Sequence, residues 1–154
     1  MARQFTFRFD TMLRLRQQRE DEHKRIVASR LREIGDAKAM IDELHNQIEA
    51  EVQAIRVGQS PGNIDLQQTV RHRHWLGHLH RTVLETEAKL RGLEARLAQE
   101  RSALAEAAKQ RRILEKLKDR QKRRHQMDED RAETREDDEM ATMRFHFERG
   151  TASG

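Results

Sequence analysis

Val27, Ile34, Ile41, Ile48 and Ile55 recur every seven residues, and each is β-branched. This ladder constrains the fold more than any other feature of the chain. A seven-residue apolar repeat marks a helix that must lie along a partner helix, because an effective 3.5 residues per turn keeps the stripe facing one way. Ala37 and Leu44 fill two of the accompanying d positions, while His23, Arg30 and Glu51 occupy others. Leu31 and Val52 stand beside the seam, which is continuous but narrow.

The partner is written later in the same chain. Leu76, Val83, Leu90, Leu97 and Leu104 form a second seven-residue ladder, with Leu79, Leu93, Ala107 and Leu114 at its d positions. Between the ladders lies Gly58-Gln-Ser-Pro-Gly-Asn63, the segment densest in chain breakers and the site of the single proline. Gly58 suits a helix C-terminus, Pro61 cannot continue a helix, and Asn63 or Asp65 can cap the next one. Asp65 and Gln68 have the spacing of a capping box. The expected fold is therefore all-α: two long helices in an antiparallel coiled-coil hairpin.

Composition agrees. With 38% charged, 35% hydrophobic and 4% aromatic residues in 154, the chain cannot build a thick core, whereas a coiled coil needs only a stripe. No cysteine is present, which excludes disulfide staples and thiolate metal sites and is compatible with a reducing cytoplasm. There is no apolar run of signal-peptide or membrane-spanning length, so a cytosolic protein is expected.

A single domain is expected over residues 1–154. Helix 1 should run from about Asp10 to Val57, the turn over 58–63 and helix 2 from about Ile64 to Phe147, with a flexible tail at 148–154. Phe5, Phe7 and Phe9 alternate with polar residues. A short strand fits that pattern, but knobs at the frayed start of helix 1 are the favoured reading. At 1.5 Å per residue the helices would be ~70 Å and ~120 Å long.

If Val57 and Ile64 flank the turn, facing residues carry numbers summing to about 121, which sets Asp10 opposite Arg111, His45 opposite Leu76 and Ile48 opposite Arg73. Helix 1 then runs out near the place where helix 2's own seam dies, since the in-phase positions after Leu117 become Lys118 and Gln121. Residues 118–145 should project as an unpaired, charged helix. That segment is polarised: nine basic residues lie between Lys109 and Arg124, and eight acids between Asp128 and Glu139. A solvated, partly frayed tail is the plain reading, and a helix completed by a partner is the functional one.

Other candidates weigh less. His74 and His78 stand four apart, a spacing that can hold zinc from one helical face, with His45 as a conceivable third ligand. No carboxylate or fourth ligand accompanies them, so no metal and no cofactor is expected. Trp75 sits beside the seam as a candidate interface anchor or an ordinary packing residue. The basic run lacks stacking aromatics and is followed at once by acids, which argues against nucleic acid. No phosphate loop, nucleophile–base pair or concave pocket is evident, so no enzyme and no catalytic residue is expected.

Together these residues resemble the flagellar FliJ family, the small coiled-coil component of the type III export ATPase complex. The opening Phe5-Thr-Phe-Arg-Phe9 with Leu13, Leu15, Arg16 and Glu20 is similar to the family's start. Leu117-Lys-Asp-Arg-Gln121, then Glu129 and Arg131, then Asp138-Glu-Met-Ala141 resemble its C-terminal half more closely. The resemblance implies a non-enzymatic stalk, like the γ subunit of rotary ATPases. Its paired chain ends would enter the pore of a hexameric export ATPase through Arg120, Gln121, Glu129 and Arg131. Its turn end would point to the export gate. By position, the family's patch for the gate's cytoplasmic domain maps onto Ile41, His45, Ile48 and Val52 on helix 1 with Trp75, Leu79 and Thr82 on helix 2. Export chaperones are further implied partners, at the cytoplasmic face of the inner membrane, for a chain monomeric on its own. The alternatives are a generic coiled-coil scaffold or the equivalent stalk of a virulence injectisome.

Overall fold

The computed structural model describes residues 3–59, 61–62 and 64–152. Two α-helices account for nearly all of them, and no strand occurs among the described residues. Helix α1 spans Asp10–Gly58 and α2 spans Leu66–Ala152. The chain divides into two compact units: Glu20–Glu106, and Met1–Arg19 with Ala107–Gly154.

Within the unit Glu20–Glu106 the two ladders meet. Ile34 and Ala37 pack with Leu93 and Leu97, flanked by Val27 and Leu90. Leu44 packs with Leu79 and Val83, flanked by Ile48. Contacting numbers rise along α1 as they fall along α2, so the pairing is antiparallel. The core is one side chain thick, as a narrow stripe dictates. Full burial falls on a and d positions and most of the rest of both helices faces water, the arrangement of a two-helix coiled coil.

Where the ladders carry polar residues, these pair with each other across the seam. Arg30 donates from Nε to both Glu100 oxygens at 3.2 and 3.1 Å and from Nη2 to Oε1 at 2.8 Å. Arg30 also reaches Glu33 one turn on, at 2.6 Å. Glu51 Oε1 pairs with His72 Nδ1 across the same seam by a single contact. A forked guanidinium–carboxylate pair has one geometry, so it pins one register where apolar residues tolerate several.

That register differs from the expected one. Arg30 would have faced Arg91 but meets Glu100, and Ile48 lies at the Leu44–Leu79–Val83 cluster rather than at Arg73. The cause is at the turn. Helix α1 continues through Gly58, and α2 begins only at Leu66, after Asp65 caps it by accepting from the amides of Gln67 and Gln68 at 3.1 and 3.3 Å. The longer connection shifts every facing pair along α2. Gly62 takes φ = +108°, a conformation suited to glycine, beside Pro61. Asn63, the alternative cap, lies outside the described residues.

The other unit is built around the chain's beginning. Residues 3–7 are extended rather than helical, with a turn at Arg8 and Phe9, so the phenylalanines are not knobs on α1. Their period-two spacing suits an extended chain: Phe7 is buried and Phe5 and Phe9 half-buried, while Gln4, Thr6 and Arg8 face water. Phe7 meets Phe9 edge-on at 5.9 Å, and its carbonyl accepts from the Asp10 amide at 3.2 Å where α1 begins. Leu13 and Ala107 are buried here too.

Helix α2 also outlasts its expected end. It continues to Ala152, through Gly150, so residues 148–152 are helical. A glycine inside a helix costs about 1 kcal/mol relative to alanine but does not end it. Here the Thr151 hydroxyl donates to the carbonyls of Phe147 and Glu148, tying the last turn down.

Candidate functional site

Two surfaces were expected to act, one in each unit. In Glu20–Glu106, the residues expected to meet an export gate lie on both helices. His45 and Trp75 are exposed, Trp75 with 47% of its surface open to solvent. Ile41 and Ile48, on the ladder itself, and Val52 and Thr82 are half-buried. Leu79 is different: at 2% exposure it is sealed in the core and offers nothing to a partner. Its d position explains this, since d side chains point into the facing helix.

The Trp75 ring lies tilted on His78 at 5.2 Å, which stiffens an otherwise open aromatic side chain. The Thr82 hydroxyl is spent on the His78 carbonyl at 2.9 Å. Among the described residues no group of three or more histidines, cysteines or carboxylates is placed to hold a metal. His72, just before His74 and His78 in the chain, is the seam partner of Glu51. A signal for that role existed: the polar interruptions Arg30 and Glu51 of one ladder need polar partners, and the d phase of the other ladder contains Glu100 and His72.

The second surface is on α2, in the unit of the chain ends. Lys118, expected at the start of an unpaired helix, instead bonds Asp10 at 3.2 Å and lies 5.9 Å from the Phe7 ring centre. Asp10 also holds Arg14 at 3.2 Å. The Lys118 hydrogen bond, then its charge, holds the Asp10 carboxyl below its ordinary value. Seven residues on, His125 Nε2 donates to the Arg3 carbonyl at 2.7 Å, and its ring lies 5.6 Å from Phe5. Helix α2 is thus accompanied well past residue 118, because the extended start of the chain runs back along it.

The four residues expected to meet an ATPase ring divide accordingly. Arg120 and Arg131 are exposed. Gln121 and Glu129 are half-buried on the His125 face, one turn before it and one after. From Asp130 to Ala152 every residue is exposed, so the solitary stretch begins there rather than at 118. It holds Met140, Met143, Phe145 and Phe147 in water, with Arg149 stacked over Phe145 at 5.0 Å. Among the described residues no helix is long and apolar enough to cross a membrane.

In comparison with known proteins, the family model described as Flagellar FliJ protein matches residues 5–150. No curated protein and no solved structure matches the chain.

Proposed function

This chain belongs to the flagellar FliJ family and so has a flagellar, export-related role, and we propose that it is the non-enzymatic central stalk of the flagellar type III export ATPase complex. The observation that carries this reading is the length of α2. It continues for more than six turns past Glu129 with every side chain exposed, its acids and then its arginines and phenylalanines presented on all sides. Isolated helices are marginal in water, where i,i+4 pairs contribute only about 0.2–0.5 kcal/mol each. A partner that surrounds this stretch supplies the burial it lacks, and the pore of a hexameric ATPase is such a partner.

In that role Arg120 and Arg131, exposed on α2, contact the ring, with Gln121 and Glu129 on the adjoining face. A helix of uneven charge inside a sixfold pore can favour one subunit's closed state over its neighbours', which couples the stalk to hydrolysis and promotes ring assembly. Ile41, His45, Ile48, Val52, Trp75 and Thr82 would contact the cytoplasmic domain of the export gate, and the stalk would also escort export chaperones. The protein would work at the cytoplasmic face of the inner membrane. On its own it is monomeric in this reading, because its two ladders satisfy each other.

The test is direct. The purified chain is mixed with its cognate export ATPase, and hexamer formation and turnover are followed. Both should rise, and Arg120→Glu with Arg131→Glu should abolish the rise while leaving helicity intact. No change in either quantity with the unmodified chain sinks the stalk assignment.

A further inference from the structure

The extended segment at the start of the chain lies on part of the face just assigned to the ATPase ring. Phe5 and the Arg3 carbonyl both engage His125. His125 stands between Gln121 and Glu129 on one helical face, and all three are half-buried. We propose that residues 3–9 form a clasp over the Gln121–Glu129 face of α2, and that the clasp must lift before this face can meet the ATPase. The inference rests on the stalk reading and adds to it a built-in, autoinhibitory contact.

The clasp is made to open as well as to close. Closing it are the half-buried Phe5, the buried Phe7 and the Lys118–Asp10 ion pair at its base. Opposing them is a carboxylate left short of a partner. The single Nε2–H of His125 goes to Arg3, so Glu129 Oε1, buried and 3.2 Å from the same nitrogen, accepts no hydrogen bond. The Glu129 side chain is 35% exposed, so the cost is that of one unpaired oxygen, and lifting the segment frees the His125 N–H to turn to it. Gains and losses at the two ends of one short segment therefore offset each other. The base, held by Phe7 and Asp10, is the firm end, and Arg3 to Phe5 the end that lifts.

A ligand whose site is available only part of the time binds with an affinity reduced by that fraction, so removing the clasp should tighten binding. In the ATPase assay, Phe5→Ala and His125→Ala should each lower the concentration of this chain needed for half-maximal stimulation by about 2- to 10-fold, the scale of one aromatic contact. Gln4→Ala, whose side chain faces water, should leave it unchanged. A second readout needs no ATPase. Diethyl pyrocarbonate should label His125 several-fold faster in Phe5→Ala than in the unmodified chain, while the exposed His74 labels at the same rate in both. Unchanged His125 labelling, or a half-maximal concentration that stays the same or rises in Phe5→Ala, overturns the clasp while leaving the stalk intact. If the unmodified chain gives no stimulation at all, the stalk reading falls and the clasp's inhibitory role falls with it.

Discussion

Two stretches of α2 make the instructive contrast. Between Leu79 and Glu100 it presents a buried or half-buried side chain every three or four residues to α1, and its polar d position at Glu100 is answered by Arg30. Between Asp130 and Ala152 it buries none. Both are helical, for different reasons. The first is held by tertiary packing; the second is held by local contacts, such as the hydrogen bonds from Thr134 and Thr142 to carbonyls one turn back and Arg149 over Phe145. The stability of the fold should therefore reside in the first stretch, and the capacity to respond to a partner in the second.

The sharpest way to break this contrast is to substitute in each stretch. Leu79→Ala removes the most fully buried side chain and should destabilise the protein by about 2–5 kcal/mol, read from the midpoint of urea unfolding. A loss below 1 kcal/mol would show that the seam is not where stability lies. Ala141→Pro should cost about 3 kcal/mol locally, lowering helicity and amide protection over 130–152. The urea midpoint of the zipped region should not move. A shift comparable to that of Leu79→Ala would mean the distal stretch shares the cooperative core.

Acid should weaken the polar clamps before the apolar ladder. The hydrogen bond from Arg30, then its charge, holds the Glu100 carboxyl below its ordinary 4.5, and Lys118 does the same for Asp10 from 3.8. A carboxyl depressed by folding contributes stability above its unfolded value, and loses it as pH falls through the folded one. Thermal stability should thus decline as pH drops below about 4.5, and Arg30→Gln should flatten that decline. Identical acid profiles for the two chains would exclude the clamp. The smallest effect belongs to Trp75→Ala: a change within about ±0.5 kcal/mol in stability, but weaker binding to the gate's cytoplasmic domain. A large stability loss would place Trp75 in the core instead.

Much of this architecture can be read from residue spacing. The β-branched ladder from Val27 to Ile55, its leucine-rich counterpart, the breakers around Pro61 and the Asp65 cap foretell two helices that fold onto each other. They foretell as well that the second outlasts the first. The register was harder, because a seven-residue repeat is satisfied at every heptad offset, and the length of the turn decides among offsets. Arg30, Glu51, His72 and Glu100 held the missing information, as charged residues at apolar positions that had to find one another. The candidate surfaces were less legible. Leu79 is the exception: its d position in the second ladder already assigned it to the core, and only the positional mapping of the gate patch placed it on the surface.

What the residue order determined alone is periodic: where helices run, which stripe each buries, and where the stripe stops. Such properties depend on neighbours three, four and seven positions apart, which the chain itself supplies. What only the tertiary structure decided is which distant residues share a place: Arg30 with Glu100, Asp10 with Lys118, and the Arg3–Phe5 segment against His125. Those pairings depend on the connection at the turn and on an extended segment that no helical period describes. The physical reason is that local periodicity orients a side chain around its own axis, while only packing selects its partner.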